Sequence, residues 1–165
     1  MNPTEQAMSG VIEETLASLA FMFPVDSDAP GAPEAGAMRR ATVEFSGAFG
    51  GRLLVAVSPE MLEPLAANML GLEDGARPSP EQQQDALREL LNVICGNLLP
   101  KIASPREVFD VHEPRHLAER DDTPPAIGLR DAGTVAVDLD SGRIQLTLWA
   151  EDAVTAAAPS GREQL

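Results

Sequence analysis

The chain has 165 residues, with 26 acidic against 12 basic side chains and a formal net charge of −14. So few Lys and Arg cannot displace the counterions of a phosphate backbone, which argues against a nucleic-acid partner, and a lone Cys95 rules out an internal disulfide framework. Apolar residues make up 44% and aromatics 4%, with no Tyr, so one domain with an aliphatic core is expected. No apolar run approaches the roughly 18 residues of a membrane span, and no basic segment leads into a hydrophobic one at the N-terminus, so a cytoplasmic protein with no membrane partner is expected.

In chain order, Asn2, Pro3 and Glu5 carry the signature of a helix start: a capping amide, Pro at the first helical position and an acid at the third. Val11, Ile12, Thr15, Leu16, Leu19, Ala20 and Phe23 then follow helical spacing up to Pro24. Residues 24–37, rich in Pro, Gly and Ala, read as a loop. Alternation in 40–46 and the run Leu53 to Val57, separated by Gly47, Gly50 and Gly51, predict a β-hairpin. Ser58, Pro59 and Glu60 open a second helix expected to end at Leu70 before Gly71, with Pro64 bending or delaying its first turns. Ser79, Pro80 and Gln82 cap a third helix, for which Pro100 predicts the stop. Val108, Phe109 and Val111 suggest a strand, residues 112–125 a charged loop. Val135, Val137 and Leu139, a turn at Asp140 to Gly142, and Ile144, Leu146 and Leu148 predict a second hairpin with one wet face.

The order of these elements predicts an α+β fold, an antiparallel sheet with helices packed on one face. A single domain over residues 1–152 and a disordered tail over 153–165 are expected. Free sheet edges and a wet face leave room for a homodimer.

The third helix is the informative segment. At 100° per residue, Asp85, Glu89, Asn92 and Gly96 fall within roughly 60° of one another, with Leu87, Leu90, Leu91, Ile94 and Leu98 opposite. Asn and Gly are poor helix formers, Gly costing about 1 kcal/mol relative to Ala, and a solvated face needs neither. A carboxylate and a carboxamide one turn apart, beside a Gly that admits another backbone, suit a docking and reaction surface. The plainer alternative is a solvated helix face. His112, Glu113 and His116 give a His pair at i, i+4, but they lie where a strand runs into a Pro-broken loop, so helical metal-ligand geometry is not expected. Cys95, flanked by apolar residues and without a His partner, reads as a small buried hydrophobe.

Asp85-x3-Glu89-x2-Asn92, continued by Gly96-Asn97 and followed beyond the helix by Pro114, resembles the phosphatase helix of the CheC, FliY and CheX group of bacterial chemotaxis proteins. The first helix, ending in Phe21-Met22-Phe23, and the Gly-rich hairpin are also similar to CheX-like domains. The resemblance implies hydrolysis of the aspartyl phosphate on a CheY-type response regulator receiver domain. By position it makes Asn92 the residue that orients the attacking water and Glu89 the partner of the receiver's Lys. Asp85 and Gly96 would meet the receiver's surface. The chain would need no cofactor of its own, since Mg²⁺ would come with the phosphorylated receiver. A single such helix is similar to the CheX arrangement, in which a dimer presents two sites. The rival is a non-catalytic adaptor that holds a receiver with the same face. Pro100, which cuts the helix early, departs from the pattern.

Overall fold

The computed structural model describes residues 1–26, 38–118, 121, 123 and 127–151. Within them the chain forms α1 (Pro3–Ala20), β1 (Arg39–Gly47), β2 (Gly51–Val57), α2 (Pro59–Leu70), α3 (Pro80–Ile102), β3 (Phe109–Val111), β4 (Arg115–Leu117), β5 (Arg130–Leu139) and β6 (Gly142–Ala150). The strands make one antiparallel sheet in the order β3-β1-β2-β6-β5, with β4 also paired to β1. The expected α+β architecture is therefore present, and the helices lie on one face.

Strand alternation decides which face. Val43 and Phe45, Leu53, Val55 and Val57, Val135 and Val137, and Ile144, Leu146 and Leu148 all point to the helical side and are buried. They meet Met8, Ile12 and Leu16 of α1, Met61 and Leu65 of α2, and Leu87, Leu90, Leu91, Ile94 and Leu98 of α3 in one core. The intervening residues face the other way, where Thr134 and Ala136 are exposed.

Both predicted capping boxes form. In α1 the Asn2 side chain accepts from the Glu5 amide at 2.7 Å while Glu5 accepts from the Asn2 amide at 3.1 Å. The other Glu5 oxygen accepts from the Thr134 amide at 3.3 Å, which ties the helix start to the outer edge of β5. In α3 the Ser79 hydroxyl accepts from the Gln82 amide at 3.1 Å, and Gln82 returns the bond to the Ser79 amide at 2.8 Å. Ser58 does not cap α2; its hydroxyl accepts from the Arg143 amide at 2.9 Å and anchors the β5–β6 turn instead.

Four expectations need correction. First, α1 ends at Ala20, before Pro24: Phe21 takes a left-handed conformation at φ 55° and the Phe21 and Met22 amides both reach back to the Leu16 carbonyl, the latter at 3.1 Å. This turns Met22 into the core and leaves Phe23 59% exposed rather than on the buried stripe. Second, α2 starts at Pro59 without delay and carries Pro64 inside it. Third, α3 passes through Pro100 to Ile102. A Pro inside a helix costs about 3 kcal/mol, whereas burying an aliphatic side chain returns roughly 1.5–3 kcal/mol; Leu98, Leu99 and Ile102 are all buried in this last stretch, so packing wins. Fourth, the loop expected over 112–125 contains β4, whose His116 pairs with Ala41. β3 and β4 are two halves of one edge strand along β1, interrupted at Pro114, which has no amide to donate. The tail expected over 153–165 and most of the loop expected over 24–37 lie outside the described residues.

Candidate functional site

Helix α3 packs across β1 and between α1 and α2, so its inner stripe is fixed by core on three sides. Leu87, Leu90, Leu91, Ile94 and Leu98 are completely buried. The opposite stripe is exposed along its length at Asp85, Glu89, Asn92 and Gly96, and the sequence-derived site residues are thus brought onto one accessible face. Glu89 and Asn92 stand about 4.5 Å apart along the axis on a helix that cannot rotate without emptying the core. The rod is anchored at its far end too, because the Asn97 amide donates to the hydroxyl of buried Thr15 in α1 at 3.3 Å.

The four residues are not equivalent. Asp85 is engaged by Arg88, three residues on, in an ion pair whose side chains are 67% and 36% exposed. Sequence reading set Asp85 against the receiver's surface and missed Arg88, although acid and base at i, i+3 on one helix are the signal that finds such a pair. Arg88 also faces the sheet edge: burial first, and then the charges of Arg88 and Arg39, push the His116 imidazole below its ordinary value. Glu89 and Asn92 make no hydrogen bond or ion pair to any described residue. The carboxylate and carboxamide are therefore both presented to solvent with all their lone pairs and donors available.

A Cβ built on Gly96 would meet nothing within 4 Å. Packing within the chain does not demand a Gly here. Pro100 supplies no amide to the Gly96 carbonyl four residues before it, and Gly96 leaves this turn's exposed backbone uncovered by a side chain. An approaching loop can reach it.

The other chemical candidates resolve plainly. Cys95 is fully buried, and desolvation pushes its thiol up to about 12, so no thiolate forms near neutrality. His112 follows β3 and His116 lies in β4, so the pair has no helical spacing; among the described residues no group of three His, Cys, Asp or Glu side chains is placed to hold a metal ion. No helix among the described residues is long and apolar enough to cross a membrane.

Set beside known proteins, residues 40–125 match the model of the chemotaxis phosphatase CheX family, a span running from β1 through α3 to the broken edge strand. Solved structures share the fold over nearly their whole length. The chain is similar to CheX of Vibrio vulnificus at 16% identity and TM-score 0.67, covering 91% of this chain and 97% of that one. For CheX of Desulfovibrio desulfuricans the figures are 16%, 0.62, 90% and 99%. For a complex of CheX with CheY, beryllium fluoride and magnesium from Borrelia burgdorferi they are 15%, 0.57, 88% and 96%. No curated protein matches the chain. The family model spans just over half of the sequence, including the whole exposed stripe of α3, and the chain belongs to the CheX family of chemotaxis phosphatases.

Proposed function

We propose that the protein hydrolyses the aspartyl phosphate of a CheY-type response regulator receiver domain, with Asn92 orienting the attacking water and Glu89 pairing with the receiver's Lys. The observation that carries this reading is a pair of polar side chains, Glu89 and Asn92, without partners among the described residues and held one turn apart on the exposed face of a helix whose other face is locked into the core. Family membership and the likeness to a CheX found in complex with CheY support it.

The chemistry suits these residues. Hydrolysis requires water to attack phosphorus in line with the scissile bond; the P–O bond to the receiver's aspartate breaks, the carboxylate leaves, and the water's proton goes with inorganic phosphate. The transition state needs positioning and charge balance more than a covalent partner. The Asn92 carbonyl oxygen can accept from the water while its NH₂ donates to an anionic oxygen, which fixes the line of attack. Glu89 forms a charge-assisted bond to the Lys and draws the receiver onto the helix without touching the water. Mg²⁺ arrives as part of the phosphorylated receiver, and no metal ligand of this chain is needed for the step. Asp85, balanced by Arg88, contributes a polar rim, and Gly96 the open backbone.

A homodimer carrying two copies of α3, working in the cytoplasm where receivers are phosphorylated, completes the proposal. Light scattering tests the assembly: twice the chain mass is expected, and a monomer removes the dimer while leaving the single-site chemistry standing. The activity is tested by adding purified protein to a receiver phosphorylated with a small-molecule donor. Faster loss of phosphate from at least one receiver of the same genome is expected. A panel of all its receivers with unchanged phosphate lifetimes overturns the phosphatase, and binding without acceleration establishes the adaptor in its place.

A further inference from the structure

The C-terminal end of α2 and the N-terminal half of α3 do not close on each other. They leave a groove of about 290 Å³ lined by Met69, Leu70, Gln82, Asp85, Ala86 and Glu89. Its origin is local: α2 ends on Gly71 in a left-handed conformation at φ 67°, and the chain travels through a turn to Ser79 before α3 begins. The two helices therefore meet as an open hairpin at this end. The floor and one wall are apolar, from Met69, Leu70 and Ala86, and Leu70 is 50% exposed although three neighbouring residues of α2, Met61, Leu62 and Leu65, are buried.

Two properties of the groove define its occupant. It is continuous with the proposed site, because Glu89 is at once its rim and the neighbour, one turn away, of Asn92. Its rim is also acidic in an unbalanced way: Arg88 is taken by Asp85, so Glu89 is left without a cation among the described residues. A surface that brings a cation to Glu89 from the α2 side lays its adjoining residues across Met69 and Leu70. Against Met69 and Leu70 themselves a polar neighbour would lose water without gaining a partner, whereas an apolar side chain would cover the exposed aliphatic wall and leave Gln82 and Asp85 to the polar part of the lining.

We propose that this groove seats an apolar side chain of the receiver, placed beside the Lys that pairs with Glu89, so that Leu70 and Met69 determine affinity and partner choice. The inference rests on the phosphatase reading for the identity of the partner and extends the contact from α3 onto α2. Catalysis stays with Asn92 and Glu89. Leu70 is a specificity residue because it touches neither water nor phosphate.

The test is Leu70→Glu in the full chain. The site is exposed and the substitution keeps good helix propensity, so the thermal midpoint should stay within a few degrees of the parent. With a receiver loaded with beryllium fluoride and Mg²⁺ as probe, the dissociation constant should rise roughly tenfold or more, the size of an interface anchor lost. In dephosphorylation assays KM should rise by a similar factor while kcat is retained. Met69→Ala, which deletes wall without adding charge, should weaken binding in the same sense by a smaller factor. Unchanged affinity for both variants, in a protein whose wild type binds or dephosphorylates the receiver, overturns the groove and leaves the phosphatase reading intact. A fall in kcat at constant KM also overturns it. If the wild type neither binds nor dephosphorylates any receiver, both proposals fall together.

Discussion

The two polar surfaces of this protein handle their polar groups in opposite ways. On the helix-free face of the sheet, several charges and hydroxyls are matched within the chain: Arg52 pairs with Glu44 at 3.1 Å, Arg143 grips both oxygens of Asp138 at 2.6 and 3.0 Å, Thr134 meets Thr147 at 3.1 Å, and the Thr42 hydroxyl donates to the Leu53 carbonyl. The first three are cross-strand pairs of opposed residues, the ordinary means by which a sheet satisfies an uncovered side. On α3 the stripe of Asp85, Glu89, Asn92 and Gly96 is equally polar, yet only Asp85 is matched. Polarity alone does not mark a site. What separates the two surfaces is that the charges of Arg52, Glu44, Arg143 and Asp138 are paired across strands, whereas Glu89 and Asn92, one turn apart on α3, are both left open among the described residues.

That contrast is open to mutation, and the largest effect should fall on activity. Asn92→Ala should lower the receiver's dephosphorylation rate by about 10²–10³-fold, the range for removing one positioned polar group from a reacting centre, while stability stays within about 0.5 kcal/mol. Glu89→Gln should act mainly on receiver binding, costing about 2–5 kcal/mol of affinity if its contact with Lys is dehydrated; calorimetry with a receiver carrying beryllium fluoride reads this directly. On the buried side of the same helix the outcome should invert. Leu90→Ala or Ile94→Ala should cost about 2–5 kcal/mol of stability in denaturant unfolding, since both side chains are fully buried. On the sheet face, Arg143→Ala should cost only about 1 kcal/mol, as expected of a partly exposed ion pair, with no change in dephosphorylation. A catalytic loss at Arg143 would break the comparison.

Cys95 adds a pH dependence. Its thiol rises from 9.0 to about 12 in the folded chain because burial penalises the thiolate. The unfolded chain releases this proton first, so the contribution is complete below pH 9 and is lost as pH rises toward 12. Denaturant midpoints measured across that window should fall, and Cys95→Ala should flatten the fall while lowering stability slightly at neutral pH.

Much of the fold was legible because local signals agreed with packing. Both capping boxes, the two hairpins and the inner stripe of α3 are each written in a few consecutive residues, and each stands where spacing puts it. The misses occurred where tertiary contacts overruled such signals. Pro100 reads as a stop, but Leu98, Leu99 and Ile102 gain more from the core than the helix loses. Arg115 to Leu117 shows no strand alternation, and β4 exists because β1 offers it a partner. Phe23 fits the periodicity of α1, yet the left-handed turn at Phe21 ends the helix before it. Of the site, the alignment of Glu89 with Asn92 was visible from spacing. The engagement of Asp85 was missed although Arg88 stands at i, i+3 from it, and the groove beside Leu70 was not legible because it needs two helices from separate stretches of sequence.

The most direct measurement is single-turnover loss of phosphate from a cognate phosphorylated receiver saturated with wild-type protein or with Asn92→Ala. The account predicts rapid hydrolysis on the wild type and a near-spontaneous rate on the variant, with the two proteins binding the receiver comparably. Equal hydrolysis rates on both would contradict it, because the water would then be held by something other than this carboxamide.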